Sequence, residues 1–273
     1  MIVCYARGDG LGHLTRLRAA AHTLAWDGEI TVVTDSPHAA DPRIAGGWTV
    51  RGSLDGLDGL AAGELVVDAF PAGLKGELRL PEGVRATHLA RRLRWDAYRE
   101  RLPAAPPRFH RTYVLEPLEA EHEAHLRAVS DEVAPLTLTD PPSEPVDVEG
   151  WLIVHGGPEA EIQDLVSYAR EMAGLENRRP AMTLVSPRRP RRLPPGVAHL
   201  DIYPACPPGP LVSRIVTAAG FNAVRQFAPW RDLHRLVPFP RSLDDQFARA
   251  AHARRSPEPR PEPRGSAGAG AFT

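Results

Sequence analysis

A strand, a glycine-rich turn and a helix follow one another twice along this chain, and this repeat limits the folds open to it. Ile2–Ala6 is an apolar run rich in β-forming residues, a turn follows it, and Leu14–Trp26 carries apolar residues at helical spacing. The same order returns with Trp151–His155, the turn Gly156-Gly157, and a helix predicted over Pro158–Ala173. Strands that alternate with helices predict parallel sheets covered on both faces. We therefore predict an α/β fold with two Rossmann-like domains facing a cleft.

Proline marks the predicted boundaries between these units. The 29 prolines are clustered, and the Asp140-Pro-Pro-Ser-Glu-Pro145 cluster lies between the two repeats. This composition predicts a first domain over 1–139, a linker over 140–149 and a second domain over 150–255. Residues 256–273 combine Pro/Arg and Gly/Ala tracts with few large apolar side chains, so we expect a disordered C-terminal tail.

The charges argue against several classes of function. The 33 basic and 34 acidic residues nearly cancel, which gives no electrostatic basis for nucleic-acid binding. Lys75 is the only lysine, and its surroundings do not form a phosphate-binding loop of the Walker type. The two cysteines form no CxxC pair, and no basic leader with a cleavage site opens the sequence. We expect a cytoplasmic protein without a transmembrane helix, for which peripheral contact with the membrane stays open.

The turn after the first strand is the first candidate site. Gly8, Gly10 and Gly12 allow the backbone to approach a ligand, and the helix that follows presents free N–H groups. The spacing is not that of a dinucleotide-binding fingerprint, and an ordinary glycine turn is the alternative. His13, at the head of the helix, is placed to act as a general base. Asp68 ends an apolar strand and is a second candidate base, or alternatively a cap.

The second lobe contains two further motifs. Thr217-Ala-Ala-Gly-Phe-Asn222 is a strand end that turns into a helix, where small residues would let a diphosphate approach backbone N–H groups. The segment 237–246 offers Arg241 for phosphate, two aspartates for hydroxyl groups, and the amide of Gln246. A capped surface helix is the alternative for this segment. Together these motifs suit a nucleoside-diphosphate ligand.

Two other motifs favour simpler interpretations. Glu121–His125 contains two histidines and two glutamates but lacks the spacing of a zinc-binding HExxH helix, so we expect a solvated helix face and assign no metal. Arg91–Trp95 could contact an anionic lipid or an acceptor pyrophosphate, but in an arginine-rich chain a basic helix face is favoured.

The order of the motifs resembles a glycosyltransferase family. The turn Gly10-x-Gly-His-x-x-Arg16, the pair Gly156-Gly157, the Thr217–Asn222 motif and the run from Pro238 to Gln246 occur in that order over almost the whole chain before the tail. This pattern is similar to the B-type nucleotide-sugar glycosyltransferases of family 28, which include the bacterial N-acetylglucosaminyltransferase of peptidoglycan precursor synthesis. The resemblance implies the GT-B-like fold of two facing domains.

The resemblance also implies roles for individual residues. The second domain would hold the UDP-sugar and the first domain the acceptor. The implied donor-site residues are Gly157, Gly220, Phe221, Asn222, Gln226, Arg241, Asp245 and Gln246. Gln226 stands where many family members have a glutamate that binds the donor ribose. The implied acceptor-side loop contains Gly10, Gly12 and Arg16, beside the catalytic candidates His13 and Asp68.

The expected activity is transfer of a sugar from a nucleoside diphosphate to an acceptor hydroxyl, with inversion and without a metal or cofactor. The expected partners are the nucleotide sugar and an acceptor of unknown identity, which could be lipid-linked. Two alternatives stay open. A nucleotide-sugar hydrolase would use His13 to activate water. A nucleotide-sugar sensor would bind the donor without turnover.

Overall fold

The first lobe is built on a parallel sheet of seven strands. The computed structural model describes residues 1–55, 63–81, 83–203 and 206–255. The strands are β1 (Ile2–Tyr5), β2 (Ile30–Val33), β3 (Thr49–Arg51), β4 (Glu64–Asp68), β5 (Arg85–Ala90), β6 (Phe109–Val114) and β7 (Ser130–Pro135). Their order in the sheet is β3-β2-β1-β4-β5-β6-β7. The helices of this lobe are α1 (Leu11–Thr23), α2 (Pro42–Ala45), α3 (Trp95–Arg99) and α4 (Ala120–Val129).

The second lobe repeats this plan with five parallel strands. They are β8 (Gly150–Val154), β9 (Met182–Val185), β10 (Val197–Leu200), β11 (Val212–Ala218) and β12 (His234–Val237), in the order β10-β9-β8-β11-β12. The helices are α5 (Glu159–Leu175), α6 (Phe221–Gln226) and α7 (Gln246–Arg255). The predicted α/β fold of two Rossmann-like domains that face a cleft is therefore confirmed.

Both sheets are covered on their two faces, which explains the apolar strands. In β1, Cys4 packs in a core cluster with Leu14 and Leu17 of α1, whereas Val3 and Tyr5 pack on the opposite face. A strand buried on both faces is expected to read as a continuous apolar run rather than an alternating one. This is why β1 and β8 are recognisable in the sequence.

Four strands give no clear apolar run in the sequence, and their side chains explain why. β5 buries the polar residues Thr87 and His88, and β12 begins with the buried His234. β3 and β7 are edge strands with polar or exposed side chains. Strands of this kind are defined by backbone pairing with a neighbour, which hydropathy does not report.

The strand order creates a switch point in each lobe. In the first lobe the connections run outward in opposite directions from β1 and β4, which are neighbours. In the second lobe β8 and β11 are the corresponding neighbours. Ligands of open parallel sheets bind outside the carboxyl ends of the strands at such points. The sequence motifs at Gly8–Arg16, Asp68, Gly156-Gly157 and Gly220–Asn222 all follow these four strands.

The predicted linker lies between the two sheets and is held by contacts. Asp140 accepts two hydrogen bonds of 2.8 Å from the guanidinium of Arg225 on α6. Val146 donates its N–H to the carbonyl of Pro207 at 2.8 Å. The domain boundaries themselves stay predictions, and the predicted disordered tail over 256–273 lies outside the described residues. None of the helices in the described part of the chain is long and apolar enough to span a membrane.

Candidate active site

A cavity of about 510 Å³ lies between the carboxyl ends of the two sheets. It is lined from the first lobe by the turn after β1, by Phe70 and by Arg91, and from the second lobe by the ends of β8, β9 and β11. This volume falls within the range of small-ligand sites. Every predicted site residue lines the cavity except Asp68 and Asp245.

The turn after β1 needs glycine at position 8. Gly8 has a φ of +135°, and a Cβ built on it would lie 2.7 Å from Nε2 of His13. A side chain at this position would therefore strain the backbone and collide with the imidazole. α1 then begins at Leu11, so His13 stands in its first turn at the cavity wall.

His13 is bound to Asp68, which lies behind it. Nδ1 of His13 is 2.6 Å from Oδ2 of Asp68, the last residue of β4. Arg16, one helical turn further along α1, holds the same carboxylate through Nε at 2.5 Å and Nη2 at 2.6 Å. The Asp68 side chain is 0% exposed and that of His13 is 11% exposed. Asp68 thus fixes the imidazole and does not itself reach the cavity.

The charges around His13 favour a neutral imidazole. Burial lowers the pKa of His13, and Asp68 opposes that effect while Arg16 and Arg91 add to it. Asp68 is also buried, which would raise its pKa, but Arg16 and His13 together hold that pKa well below its usual range. A charged Asp68 accepts the Nδ1–H of a neutral ring, which leaves the lone pair of Nε2 available as a base. No protein partner binds Nε2 among the described residues.

A second polar cluster follows β8 in the other lobe. Nη2 of Arg241 lies 2.5 Å from Oε2 of Glu161 on α5, and Nε2 of His155 is 3.0 Å from the same oxygen. A Cβ on Gly157 would approach this histidine nitrogen to 2.5 Å. Burial raises the pKa of Glu161, but the neighbouring His155 and Arg241 bring this pKa down to about 2. Arg241 is thus already paired with a carboxylate.

The Gly220–Asn222 motif joins the two lobes at the cavity. Nδ2 of Asn222 donates to the carbonyl of Gly12 at 2.8 Å, across the cleft. The ring of Phe221 lies under the guanidinium of Arg16, 5.5 Å from its centroid. α6 therefore begins directly opposite α1, and Gln226 at its end also lines the cavity.

Sequence reasoning missed a chain of buried ion pairs at the cavity wall. Arg91, only 7% exposed, lies in the segment after β5 and donates to Oδ1 of Asp244 at 2.5 Å. Asp244 is also bound by Arg249 of α7 at 2.7 Å, and Arg249 in turn contacts Glu116 of the first lobe at 2.7 and 2.8 Å. The expectation of an exposed basic helix face was wrong for Arg91, because α3 begins only at Trp95.

The histidines after residue 120 also differ from expectation. His122 is 0% exposed and stacks on Trp95 with ring centroids 4.3 Å apart and an interplanar angle of 8°. The predicted solvated helix face is therefore wrong at this residue. Within the described ranges no group of three or more His, Cys, Asp or Glu residues is arranged to hold a metal ion.

The fold was also compared with solved structures. The chain is similar to a solved structure described as "Crystal Structure Analysis of the Glycotransferase of kitacinnamycin", with a TM-score of 0.49 and 15% sequence identity over 92% of this chain and 83% of that one. No family model and no curated protein matches the sequence.

Two of the predicted donor residues are used by the fold. Asp245 caps α7, since its Oδ1 accepts the N–H of Ala248 at 2.9 Å. Oε1 of Gln246 accepts the N–H of Phe239 at 3.0 Å, and the Gln246 side chain is buried. Asp245 therefore stabilises the start of α7, and Gln246 holds the segment that carries Arg241.

Replacement of Gln246 by alanine should lower the free energy of unfolding by about 1–3 kcal/mol, because it leaves the partly buried backbone N–H of Phe239 without its acceptor. Urea denaturation measures this change. The adjacent Phe247→Ala is the control, because Phe247 is 56% exposed and its loss should cost less than about 0.5 kcal/mol. If Gln246→Ala weakens UDP binding at unchanged stability, the side chain is a donor contact instead.

Proposed function

We propose that this protein is a glycosyltransferase that moves a sugar from a nucleoside-diphosphate donor, UDP-sugar in the first instance, to an acceptor hydroxyl. One observation carries the proposal. The buried His13–Asp68 pair of the first lobe and the glycine turns of the second lobe, at Gly157 and Gly220, meet in a single cavity. A base on one side and a diphosphate-sized backbone site on the other are what the transfer of a sugar requires.

The proposed base is Nε2 of His13. The acceptor hydroxyl binds beside the loop that contains Gly10 and Gly12 and gives its proton to Nε2 as its oxygen attacks the anomeric carbon of the sugar. The bond from that carbon to the diphosphate oxygen breaks, and the nucleoside diphosphate leaves with the electron pair. Attack from the side opposite the leaving group inverts the anomeric centre. Asp68 is a positioning residue that stabilises the imidazolium formed in this step.

The donor is proposed to lie on the second lobe. Backbone N–H groups of the turns at Gly157 and Gly220 and the guanidinium of Arg241 would bind the diphosphate, and the amide of Gln226 would bind the ribose. Because arginine and backbone groups can carry this charge, we propose that no metal is needed and that excess EDTA leaves turnover unchanged. The expected cytoplasmic location and peripheral membrane contact remain proposals as well.

Millimolar UDP should raise the melting temperature of the protein if the donor site is assigned correctly. A ligand that binds only the folded state stabilises it by RT ln(1 + [L]/Kd), which is about 2.7 kcal/mol at one hundred times the dissociation constant. Differential scanning fluorimetry with UDP, GDP and dTDP measures the shift and compares the bases. Absence of a shift with every nucleoside diphosphate would remove the basis for a donor site.

Product analysis separates transfer from the two alternatives. With donor and a panel of hydroxylated acceptors, a transferase forms a glycoside and releases little free sugar. Release of free sugar at the full rate without acceptor would identify a hydrolase, in which His13 activates water. Donor affinity without any product would identify a sensor.

A further inference from the structure

His155 is a buried, titratable side chain at the cavity that the proposed transfer step does not use. It follows the last residue of β8 and immediately precedes Gly156-Gly157, the turn proposed to bind the diphosphate. Its side chain is 8% exposed and lines the cavity. An imidazole therefore forms part of the cavity wall directly beside this turn.

The carboxylate of Glu161 lies against the covered side of the His155 ring. Nε2 is fully covered and approaches Oε2 of Glu161 to 3.0 Å, but without the alignment of a hydrogen bond. Because Nε2 is covered, only the other edge of the ring is exposed. Glu161 therefore lies behind the ring, and a ligand in the cavity would contact the ring from the other side.

The charged side chains near His155 come from two segments of the second lobe. Glu161 contacts it from α5, and Arg241 contacts that same carboxylate from the segment after β12. Phe239 lies beside the ring with centroids 6.1 Å apart. The neighbouring ends of β9 and β11 contribute Val185, Ser186 and Ala218, which are uncharged. Asp9 of the first lobe contributes to this cluster because its charge raises the pKa of Arg241.

We infer that His155 binds the donor diphosphate as an imidazolium, so that donor binding takes up a proton. The inference rests on the proposed donor site and adds a residue and a proton linkage to it. Imidazole is the side chain whose charge changes between pH 5 and 8. A diphosphate placed at the Gly156-Gly157 turn adds negative charge next to a ring that already lies beside Glu161. Protonation then gives a charge-assisted hydrogen bond to a phosphate oxygen.

Calorimetry of UDP binding tests this inference. Titrations at pH 7.5 and 9.0, in pairs of buffers with different ionisation enthalpies, count the protons taken up on binding. UDP is fully ionised throughout this range, because a second phosphate pKa lies near 6, so any uptake belongs to the protein. Wild type should take up roughly half a proton to one proton at pH 7.5, and its affinity should fall as the pH is raised to 9.0.

His155→Gln should abolish the uptake and weaken UDP binding at pH 7.5 by about 10-fold, the equivalent of one charge-assisted hydrogen bond. His13→Gln and the exposed His252→Gln should both keep the uptake. Melting temperatures of the variants check that each has folded, and His155→Asn provides a second substitution. Inorganic pyrophosphate, which itself binds a proton in this pH range, tests only whether a diphosphate binds without base or ribose.

The possible failures can be told apart. If wild type binds neither UDP nor pyrophosphate, the donor site is wrong and the inference on His155 falls with it. If wild type binds UDP without proton uptake, or if the uptake survives in His155→Gln, the donor site stands and the role of His155 is overturned.

Discussion

Replacement of His13 by alanine should lower turnover by about 100-fold or more while UDP affinity changes by less than about twofold. The loss follows from removal of a proton-transfer group that acts in the transition state and makes little contact with the bound donor. Single-turnover assays measure the chemical step, and calorimetry measures donor affinity. His22→Ala, the same substitution further along α1 and outside the cavity, is the control and should retain wild-type activity.

Asp68→Asn keeps the length of the side chain but should reduce turnover further, by about 10³- to 10⁴-fold. An amide would present a donor or acceptor at random to Nδ1 of His13, so the ring would no longer be held in the tautomer that leaves Nε2 as a base. The substitution also leaves Arg16 as a buried cation without its carboxylate. We expect a destabilisation of about 3–5 kcal/mol, which urea denaturation measures separately from activity.

The two variants also decide which residue is the base. In this structure the Asp68 carboxylate is fully buried behind the imidazole, so an acceptor hydroxyl could reach it only through His13. Normal turnover in His13→Ala, with loss in Asp68→Asn, would move the base to Asp68 and leave the Gly10–His13 turn as a binding loop. Donor binding without turnover in the wild type as well as in both variants would favour the sensor.

The parts of the site that could be predicted from sequence are those set by local backbone chemistry. Gly8 and Gly157 are required because a Cβ would collide with His13 and His155, five and two residues away in the chain. Such turns follow an apolar strand and precede a helix, so their type can be recognised from sequence. For the same reason the two-lobed α/β fold was predicted correctly.

The remaining parts depend on which strands are neighbours. Arg16 and Asp68 are 52 residues apart and meet only because β4 pairs with β1. Arg91 reaches the cavity because β5 lies beside β4, and its partner Asp244 comes from the other lobe. In a chain whose basic residues are almost all arginine, nothing in the sequence distinguishes a buried arginine from an exposed one. Strand order and the docking of the lobes supply that information.

The buried histidines should make the protein unstable in mild acid. Burial lowers the pKa of His88 to about 4, and that of His122 to about 3. His234, in the second lobe, is also brought to about 3 by burial. Both nitrogens of His122 lack a partner, so a proton on this ring would be a buried charge between Trp95 and the lobe-one core.

The sign of the effect follows from proton linkage. Below about pH 6.5, where histidine titrates in an unfolded chain, the unfolded state binds protons that the folded state excludes. The contribution of these histidines to the free energy of unfolding is therefore fully present above pH 6.5. It is lost as the pH falls toward their pKa values in the folded state. Each histidine changes the unfolding free energy by about 1.4 kcal/mol per pH unit at most. The three together should remove about 5 kcal/mol between pH 6.5 and 5, against a total of about 5–15 kcal/mol for a typical domain.

Urea denaturation at half-unit steps from pH 7.5 to 4.5 measures the slope of the unfolding free energy against pH. His122→Phe, which keeps an aromatic ring against Trp95, should reduce the slope by about one third of the contribution of His88, His122 and His234. The exposed His252→Gln should leave the slope unchanged. Carboxylates with lowered pKa values, among them Asp68, Asp244 and Glu161, destabilise the fold mainly below about pH 4.5, where carboxyl groups titrate in the unfolded chain, so they contribute little in this window. A stability that is flat from pH 7.5 to 4.5 would show that these rings are solvated or paired in the folded protein, contrary to the packing of His122 on Trp95.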